Sequence, residues 1–410
     1  MKKVETAFLS AILIIAGISY LSYWWTETDI TPQNRVVDLW GIDPFSIGIQ
    51  YGLKCKNEIQ GVCSKLGLVD GFFKIVTDLA SIHFTLIMQE FVPEEYLREM
   101  CGVALGAGVT YNQIFFLNYM ADYMQILGES ALSCSQFILI NNTLPIYGSM
   151  FGRTLDYPGD MVLDRYQVII RVNAYSESEN SIIGHTIAGM IGYLTGINDE
   201  GLTIGVSQIN PHKFNVGPGI SCVLAIRDIL EHNETTEQAT KTFGDYKRHT
   251  VGAWCFAILD QRGSATVVEL ANKIPDTQEI FNNTIKGDDV PFLVITNHFI
   301  SPKMYPLSAH SAQSESRFNA LLHDIPKTLY HDLSSTINLL KSHYDPTLKC
   351  NHPGHRTVCN HGVQPYHGTM GGFIGVPKTP MAVFCLGRPC ESDFYIMTFE
   401  PINYLIGPIT

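Results

Sequence analysis

The sequence predicts an α+β protein in which a layered β sandwich is covered by helices. From about Asn34 to Leu132, apolar residues recur at three- and four-residue spacing, which is typical of amphipathic helices. After Cys134 the pattern changes to short β-type runs bounded by glycine, asparagine and aspartate turns. Helical stretches return between and after these runs, and this alternation indicates sheets packed against helical layers.

Each element follows from its local pattern. Helices are predicted at residues 71–79 and 93–100, where Pro93 followed by two glutamates suits a first helical turn. The predicted strands are residues 136–140, 146–151, 166–172, 202–209, 255–260, 266–270 and 292–297. The later predicted helices are residues 221–231, 236–243, 315–324 and 334–343.

The composition limits the class of protein. The 410 residues are 46% hydrophobic and 16% charged, which is ample for a large core. The net charge is −12 and no basic stripe is present, so nucleic acid is excluded as a partner. The sequence has no Gly-x-Ser-x-Gly elbow, His-Glu-x-x-His helix, phosphate loop or dinucleotide glycine motif, which disfavours serine hydrolases, zinc proteases and nucleotide enzymes.

The N-terminus indicates export from the cytosol. Lys2 and Lys3 precede an uncharged stretch at residues 7–25, so residues 1–25 are interpreted as a signal peptide or, alternatively, an uncleaved signal anchor. We expect the remainder to be lysosomal or secreted, with glycosylation acceptors at Asn141, Asn233 and Asn282. Ten cysteines fit an oxidising compartment with disulfides of open connectivity.

Cys134 is the predicted nucleophile. It lies two residues before the predicted strand at 136–140, and the segment after the turn at residues 141–145 carries Arg153 and Asp156. A free cysteine thiol of pKa about 8.5 is mostly protonated at neutral pH. Cleavage before Cys134 would release an α-amine of pKa about 7.7–8.0 that can act as the base. Arg153 can then favour the thiolate and Asp156 can orient the amine. The alternatives are a buried apolar thiol at Cys134 and a surface ion pair of Arg153 and Asp156.

Several motifs occur in a fixed order around Cys134. They are residues 95–109 with 114–119, Cys134 itself, and residues 151–156, 192–202, 295–299 and 314–318. Together they resemble the cysteine N-terminal-nucleophile hydrolases of the acid ceramidase and N-acylethanolamine acid amidase group, and the related isopenicillin acyltransferase-like family.

The resemblance implies a four-layer αββα sandwich with an N-terminal helical segment. It also implies self-cleavage between Ser133 and Cys134, which would divide the chain into a helical subunit at residues 26–133 and a catalytic subunit at residues 134–410. Asn297 would contribute to an oxyanion hole and Arg317 would support the site electrostatically; a strand end and a solvated helix position are the alternatives. Gln208, beside Ser207, stands where ceramidase-like enzymes tend to have a glutamate.

A second cluster contains residues that commonly bind zinc. Its members are Cys350, His352, His355, Cys359 and His361, with His367 shortly after. The spacing matches no paired zinc pattern, and an exported chain more often oxidises such cysteines. We therefore predict no metal and no other cofactor.

Three functions are compatible with these features. The first hypothesis is hydrolysis of the amide bond in a fatty-acyl lipid, such as a ceramide or an N-acylethanolamine, with a membrane surface or lipid-presenting protein as a further partner. The second is acyl transfer from the same Cys134 thioester to an amine. The third is an inactive lumenal binding protein that remains uncleaved.

Overall fold

The computed structural model describes residues 35–65, 84–126, 133–140, 144–156, 163–176, 178–210, 217–245, 250–271, 281–287, 291–362, 368–400 and 405–409. The predicted leader at residues 1–25, the predicted helix at 71–79, Asn141 and His367 lie outside this range. Strands and helices are numbered along the described chain. The division at Ser133–Cys134 into two subunits stays a prediction.

An eight-stranded sheet, called sheet A, forms one inner layer. In spatial order its strands are β1 Val36–Leu39, β4 Gln167–Val172, β5 Ile182–Ile187, β6 Thr195–Asn198, β7 Thr203–Gln208, β8 Ala253–Leu259, β9 Ala265–Ala271 and β10 Phe281–Lys286. Neighbours are antiparallel except for β1 and β4, which are parallel.

A seven-stranded antiparallel sheet, called sheet B, forms the other inner layer. In spatial order its strands are β11 Phe292–Ile295, β2 Ser133–Leu139, β3 Met150–Asp156, β14 Thr369–Val376, β15 Met381–Leu386, β16 Phe394–Thr398 and β17 Leu405–Ile409. A separate hairpin pairs β12 Tyr344–Asp345 with β13 Cys350–Asn351.

Helices cover the outer face of each sheet. They are α1 Pro44–Lys54, α2 Lys56–Lys65, α3 Glu94–Ala107, α4 Tyr111–Asn118, α5 Met120–Ile126, α6 Cys222–His232, α7 Thr236–Asp245, α8 Ala312–Asp324 and α9 Leu333–Leu340. The helices α1 to α7 lie on the sheet A side, whereas α8 and α9 pack on sheet B.

The alternation of strand side chains produces three apolar layers. Along β4, Ile169 packs between the two sheets, whereas Val168 and Ile170 pack under the helices outside sheet A. Phe137 on β2 lies in the same way outside sheet B, in a cluster that also contains Leu340 of α9. The predicted four-layer αββα sandwich with an N-terminal helical segment is therefore confirmed.

Most predicted elements are present, with their ends shifted by a few residues. One strand prediction is wrong, because residues 146–148 form part of a turn in which Tyr147 N donates to Leu144 O at 2.9 Å. Gly148 adopts a φ of 65°, and the strand begins only at Met150. The helix predicted at residues 334–343 ends at Leu340.

The expected disulfides are absent. All ten cysteines lie in the described residues and each has a free thiol. Cys63, Cys222, Cys255 and Cys385 are fully buried and pack as apolar side chains. Within the described ranges, no helix combines the length and apolar character that crossing a bilayer requires.

A buried ion pair joins the helical segment before Cys134 to the segment after it. Arg227 of α6 contacts Glu99 of α3 and Glu231 of its own helix, both at 2.8 Å. Tyr96 donates its hydroxyl to Glu231. All of these side chains are almost fully buried, so the charges are compensated within the protein rather than by water.

We predict that Arg227→Ala lowers the free energy of unfolding by about 3–5 kcal/mol, because it leaves two buried carboxylates without their cation. Urea denaturation measures the change. The control is Arg98→Ala on α3, whose side chain is 57% exposed and whose Nη2 lies 3.6 Å from Asp43 Oδ1; there we expect a loss of at most about 1 kcal/mol. Equal losses in the two variants would contradict this role for Arg227.

Candidate active site

Cys134 lies at the beginning of β2, next to Arg153 on β3. The register pairs Cys134 with Leu155 and Gln136 with Arg153, so the Cys134 and Arg153 side chains share one face of sheet B. Arg153 Nη2 donates to Cys134 Sγ at 3.1 Å. The charged end of Arg153 is therefore in direct contact with the sulfur.

Arg153 is held in place from the opposite sheet. Its Nη1 donates to Leu194 O at 2.6 Å and to the Thr195 hydroxyl of β6. Gly205 of β7 lets the two sheets approach closely beside Arg153, because a Cβ there would lie 2.6 Å from Gln136 Oε1 and 2.8 Å from Phe151 Cζ. Burial, together with the charge of Arg153, lowers the pKa of nearby His185 to about 3, so that ring adds no second charge.

The backbone of Cys134 is held by Asn297 and Arg317. Cys134 N donates to Asn297 Oδ1 at 2.9 Å, and Arg317 Nη2 donates to the same oxygen at 2.6 Å. Arg317 Nη1 donates to Cys134 O and, at 3.0 Å, to Ser135 Oγ. Burial lowers the pKa of Arg317, and the charges of Asp156 and Cys134 oppose this effect.

The orientation of Asn297 differs from the simplest form of an oxyanion hole. Its carbonyl oxygen accepts from two groups that can only donate, the Cys134 amide and the Arg317 guanidinium, which fixes the side-chain amide. Its Nδ2 donates to Gln208 O at 2.9 Å. In the intact chain, the side-chain oxygen of Asn297 therefore accepts from the backbone nitrogen of Cys134. Gln208 contributes its backbone oxygen, which accepts from Asn297 Nδ2.

Two polar residues to which the sequence analysis gave no role hold Asn297 and the turn after it. Ser314 Oγ of α8 accepts from Asn297 N at 2.8 Å and contacts His298 Nδ1 at 2.8 Å. Glu269 on β9 is buried and accepts from the backbone of Ile300 and Ser301 in the turn that follows. The role of Glu269 is indicated only by its burial and by the backbone N–H groups that it accepts from, and both are visible in the structure but not in the sequence.

Asp156, at the end of β3, lies beside the residue that precedes the predicted cleavage point. It pairs across the sheet with Ser133, the residue before Cys134. Its Oδ1 accepts from Thr369 Oγ1 at 2.6 Å and its Oδ2 from Asn360 Nδ2 at 3.5 Å. Burial raises the pKa of Asp156 to about 6, although Arg317 and the Thr369 hydroxyl act in the opposite direction.

A second buried carboxyl group, on Asp122, was also missed. It lies on α5, the helix before the predicted cleavage point, and accepts from Cys222 N at the start of α6 at 3.3 Å. Burial raises the pKa of Asp122 to about 7. Gln125 of the same helix donates to Ile209 O and Ala253 O at 3.1 and 2.9 Å. These contacts dock α5 on sheet A and on α6.

The structure argues against a glycan at Asn233. This residue is the C-cap of α6 and its side chain is buried, with Nδ2 donating to Ile229 O at 3.1 Å and Oδ1 accepting from Thr242 at 3.0 Å. A glycan on Nδ2 would need space that the fold fills. Asn282 lies on β10 opposite Leu270.

The four-layer αββα fold is that of the N-terminal-nucleophile hydrolases. Residues 146–389, more than half of the chain, match the family described as acyl-coenzyme A:6-aminopenicillanic acid acyl-transferase. The chain belongs to this family. Its members catalyse acyl transfer or amide hydrolysis, and both reactions proceed through an acyl group on the nucleophile. A search of curated proteins finds no match.

Solved structures with distant similarity include an N-acylethanolamine-hydrolyzing acid amidase from Caenorhabditis elegans, at 17% identity and a TM-score of 0.38, covering 60% of this chain and 94% of that one. Penicillin V acylase from Agrobacterium tumefaciens has 16% identity and a TM-score of 0.42, covering 66% and 88%. A conjugated bile acid hydrolase from Clostridium perfringens has 11% identity and a TM-score of 0.37, covering 65% and 97%.

We predict that ionisation of Asp156 destabilises the intact chain as the pH rises from about 4 to above 6. The folded protein raises the pKa of this carboxyl from 3.8 to about 6, so it holds the proton more tightly than the unfolded chain does. The cost at neutral pH is about 3 kcal/mol. Asp156→Asn, which cannot ionise, should therefore gain about 3 kcal/mol relative to Asp156 between pH 4 and pH 7.5.

Both chains in this measurement carry Cys134→Ala, so that neither can be cleaved, and urea denaturation is followed across the pH range. Comparing the two chains cancels the titration of Asp122 and of other shared groups. A stability difference that is independent of pH would show that Asp156 titrates as it does in the unfolded chain.

Proposed function

We propose that the protein is a self-processing N-terminal-cysteine amidohydrolase that cleaves the amide bond of fatty-acyl lipids. The observation that carries the proposal is the convergence on Cys134: Arg153 contacts the sulfur, while Asn297 and Arg317 contact the backbone N and O of the same residue. A cysteine that serves only as an apolar core residue needs neither contact.

Maturation starts from the intact Ser133–Cys134 peptide. The Cys134 thiolate attacks the Ser133 carbonyl carbon, a C–S bond forms, and the C–N bond breaks as the nitrogen takes up a proton. Water then hydrolyses this thioester, leaving a Ser133 carboxylate and a free α-amine and thiol on Cys134. Ser133 is half-buried whereas Cys134 is fully buried, so departure of the preceding residues would open a path to the sulfur.

Turnover repeats the same chemistry on a substrate. The thiolate attacks the amide carbonyl, the α-amine transfers the proton to the leaving amine, and water hydrolyses the resulting thioester to a fatty acid. The α-amine inherits the position of Cys134 N and hence the hydrogen bond to Asn297 Oδ1. Arg317 donates to the backbone oxygen of Cys134 and to Asn297 Oδ1, and it thereby fixes the residue that carries the nucleophile.

The large apolar cluster that includes Cys134 supports an apolar acyl group. Phe84, Tyr119 and Tyr123 from the helical segment belong to the same cluster. The ring of Phe84 lies 5.4 Å from that of Tyr119 and 6.1 Å from that of Tyr123, both edge to face. An acyl chain bound against these rings would be removed from water, which favours long chains.

Acyl transfer is the second candidate function, and the description of the matching family favours it. It differs only in the last step, because an amine instead of water attacks the thioester. The remaining proposals are a ceramide or N-acylethanolamine as substrate and a lysosomal or secreted location. The two subunits would remain associated after cleavage through the buried pair of Arg227 and Glu99.

We predict that Cys134→Ala abolishes both cleavage and turnover, because the variant has no sulfur to form the acyl bond. Denaturing gels should show a single chain, whereas the wild type should yield a fragment whose N-terminal residue is Cys134 by mass spectrometry. Cys101→Ala, which removes an exposed thiol on α3, is the matched control and should mature normally. Two fragments in the Cys134→Ala variant would refute the maturation scheme.

We also predict that the mature enzyme prefers N-palmitoylethanolamine over N-acetylethanolamine by at least about tenfold in kcat/KM, because each methylene removed from water contributes up to about 0.8 kcal/mol. Free fatty acid should remain the main product when an amine acceptor is added. A conjugate of acyl group and acceptor as the main product would instead establish acyl transfer, and equal rates for the two substrates would contradict a lipid substrate.

A further inference from the structure

Four metal-binding side chains converge outside the Cys134 site. They are His343, which follows α9, Cys359 and His361 from the loop before β14, and Cys390, which follows β15. Their ligand atoms all lie within 4.8 Å of one another. We call these four residues the Cys2His2 cluster.

The separations within the Cys2His2 cluster are close to those around a tetrahedral zinc ion, which would require the two imidazole nitrogens to move apart by a few tenths of an ångström. The two sulfur atoms are 3.4 Å apart, the two imidazole Nε2 atoms 3.0 Å, and Cys390 Sγ and His361 Nε2 3.3 Å. With Zn–S of about 2.3 Å and Zn–N of about 2.0–2.1 Å, tetrahedral ligands lie about 3.3–3.8 Å from each other. Two Nε2 atoms that face each other can share a single proton, whereas one cation can engage both lone pairs and both thiolates.

The neighbouring residues also suit a cation at this point. Glu391 Oε1 lies 3.8 Å from His361 Nδ1, so a proton on Nδ1 faces a carboxylate and Nε2 is left free to bind a metal. Two thiolates and two neutral imidazoles would balance the charge of Zn²⁺. Cys359 is buried and the other three residues are half-buried, which leaves an approach from solvent.

We propose that the Cys2His2 cluster binds one structural zinc ion. Four protein ligands leave no open position for a substrate or for activated water, so the ion would stabilise the fold rather than react. It would tie together the ends of α9, β15 and the loop that enters β14. The four residues come from three separate parts of the chain, and only Cys359 and His361 lie within the cluster that the sequence analysis considered.

The zinc would also support the Cys134 site. Asn360 lies between the two ligands Cys359 and His361, and its side chain donates to Asp156 at 3.5 Å. Its backbone oxygen accepts from Thr369 N at 2.7 Å, and its backbone nitrogen donates to Thr369 Oγ1 at 2.8 Å. Thr369 in turn donates to Asp156 at 2.6 Å. This part of the inference rests on the proposed function, whereas zinc binding itself does not.

The experiment measures zinc in the full chain carrying Cys134→Ala, which can neither mature nor turn over, so its outcome is independent of the proposed function. The protein is purified under reducing conditions, incubated with zinc sulfate and desalted. We expect about one zinc ion per chain by elemental mass spectrometry. His343→Ala, Cys359→Ser, His361→Ala and Cys390→Ser should each remove most of the metal, while Cys350→Ser, on the exposed strand β13, should retain it.

Two readouts keep the test decisive where a ligand variant fails to fold. Replacement by Co²⁺ in the parent Cys134→Ala chain should give the thiolate-to-metal charge-transfer absorption of a tetrahedral site. Chelation should lower the unfolding temperature, and added zinc should restore it. The proposal would be overturned if the parent chain binds no zinc. It would also be overturned if peptide mapping of the unreduced protein finds a Cys359–Cys390 disulfide and the protein still binds no zinc after reduction.

Discussion

The contact of Arg317 with Cys134 and Asn297 is the constraint on which the site depends. One buried guanidinium binds the backbone oxygen of Cys134 and the side-chain oxygen of Asn297, which in turn accepts from Cys134 N. A buried cation is costly unless it is hydrogen-bonded, and here Nη1 and Nη2 of Arg317 donate to the groups that must be positioned, whereas its Nε has no partner among the described residues. The relative positions of helix α8 and strands β2 and β11 are therefore closely restricted.

The sandwich supplies this constraint because both sheets contribute. Arg153 starts on sheet B, crosses the core and ends on Leu194 and Thr195 beside or within sheet A. Glu269 on sheet A holds the turn after Asn297, which itself follows a strand of sheet B. Such buried polar networks tolerate few alternative arrangements, because any shift between the sheets leaves a charge or a donor without its partner.

The sequence predicted the elements whose signal is local. Strands such as β7 and β8 have clear apolar runs, and Cys134 and Arg153 were identified because their motifs occur in a recognisable order. The orientation of Asn297 and the role of Glu269 depend on pairings between distant segments, which no local pattern contains. The strand β14 escaped prediction because its sequence, Thr-Met-Gly-Gly-Phe-Ile-Gly-Val, is rich in glycine and is specified by its neighbours in the sheet.

Cleavage would change the charge balance around Asp156. In the intact chain, Arg153 and Arg317 face a carboxyl group whose pKa is about 6 and an amide N–H that carries no charge. Cleavage creates an α-amine on Cys134 and a carboxylate on Ser133, which pairs with Asp156 across the sheet in the intact chain. If the segment that ends at Ser133 departs with its negative charge, the site keeps the positive charge of the amine. That charge would favour both the Asp156 carboxylate and the thiolate. The intact chain would thus hold its groups nearer to neutrality, and maturation itself would complete the charged arrangement that turnover requires.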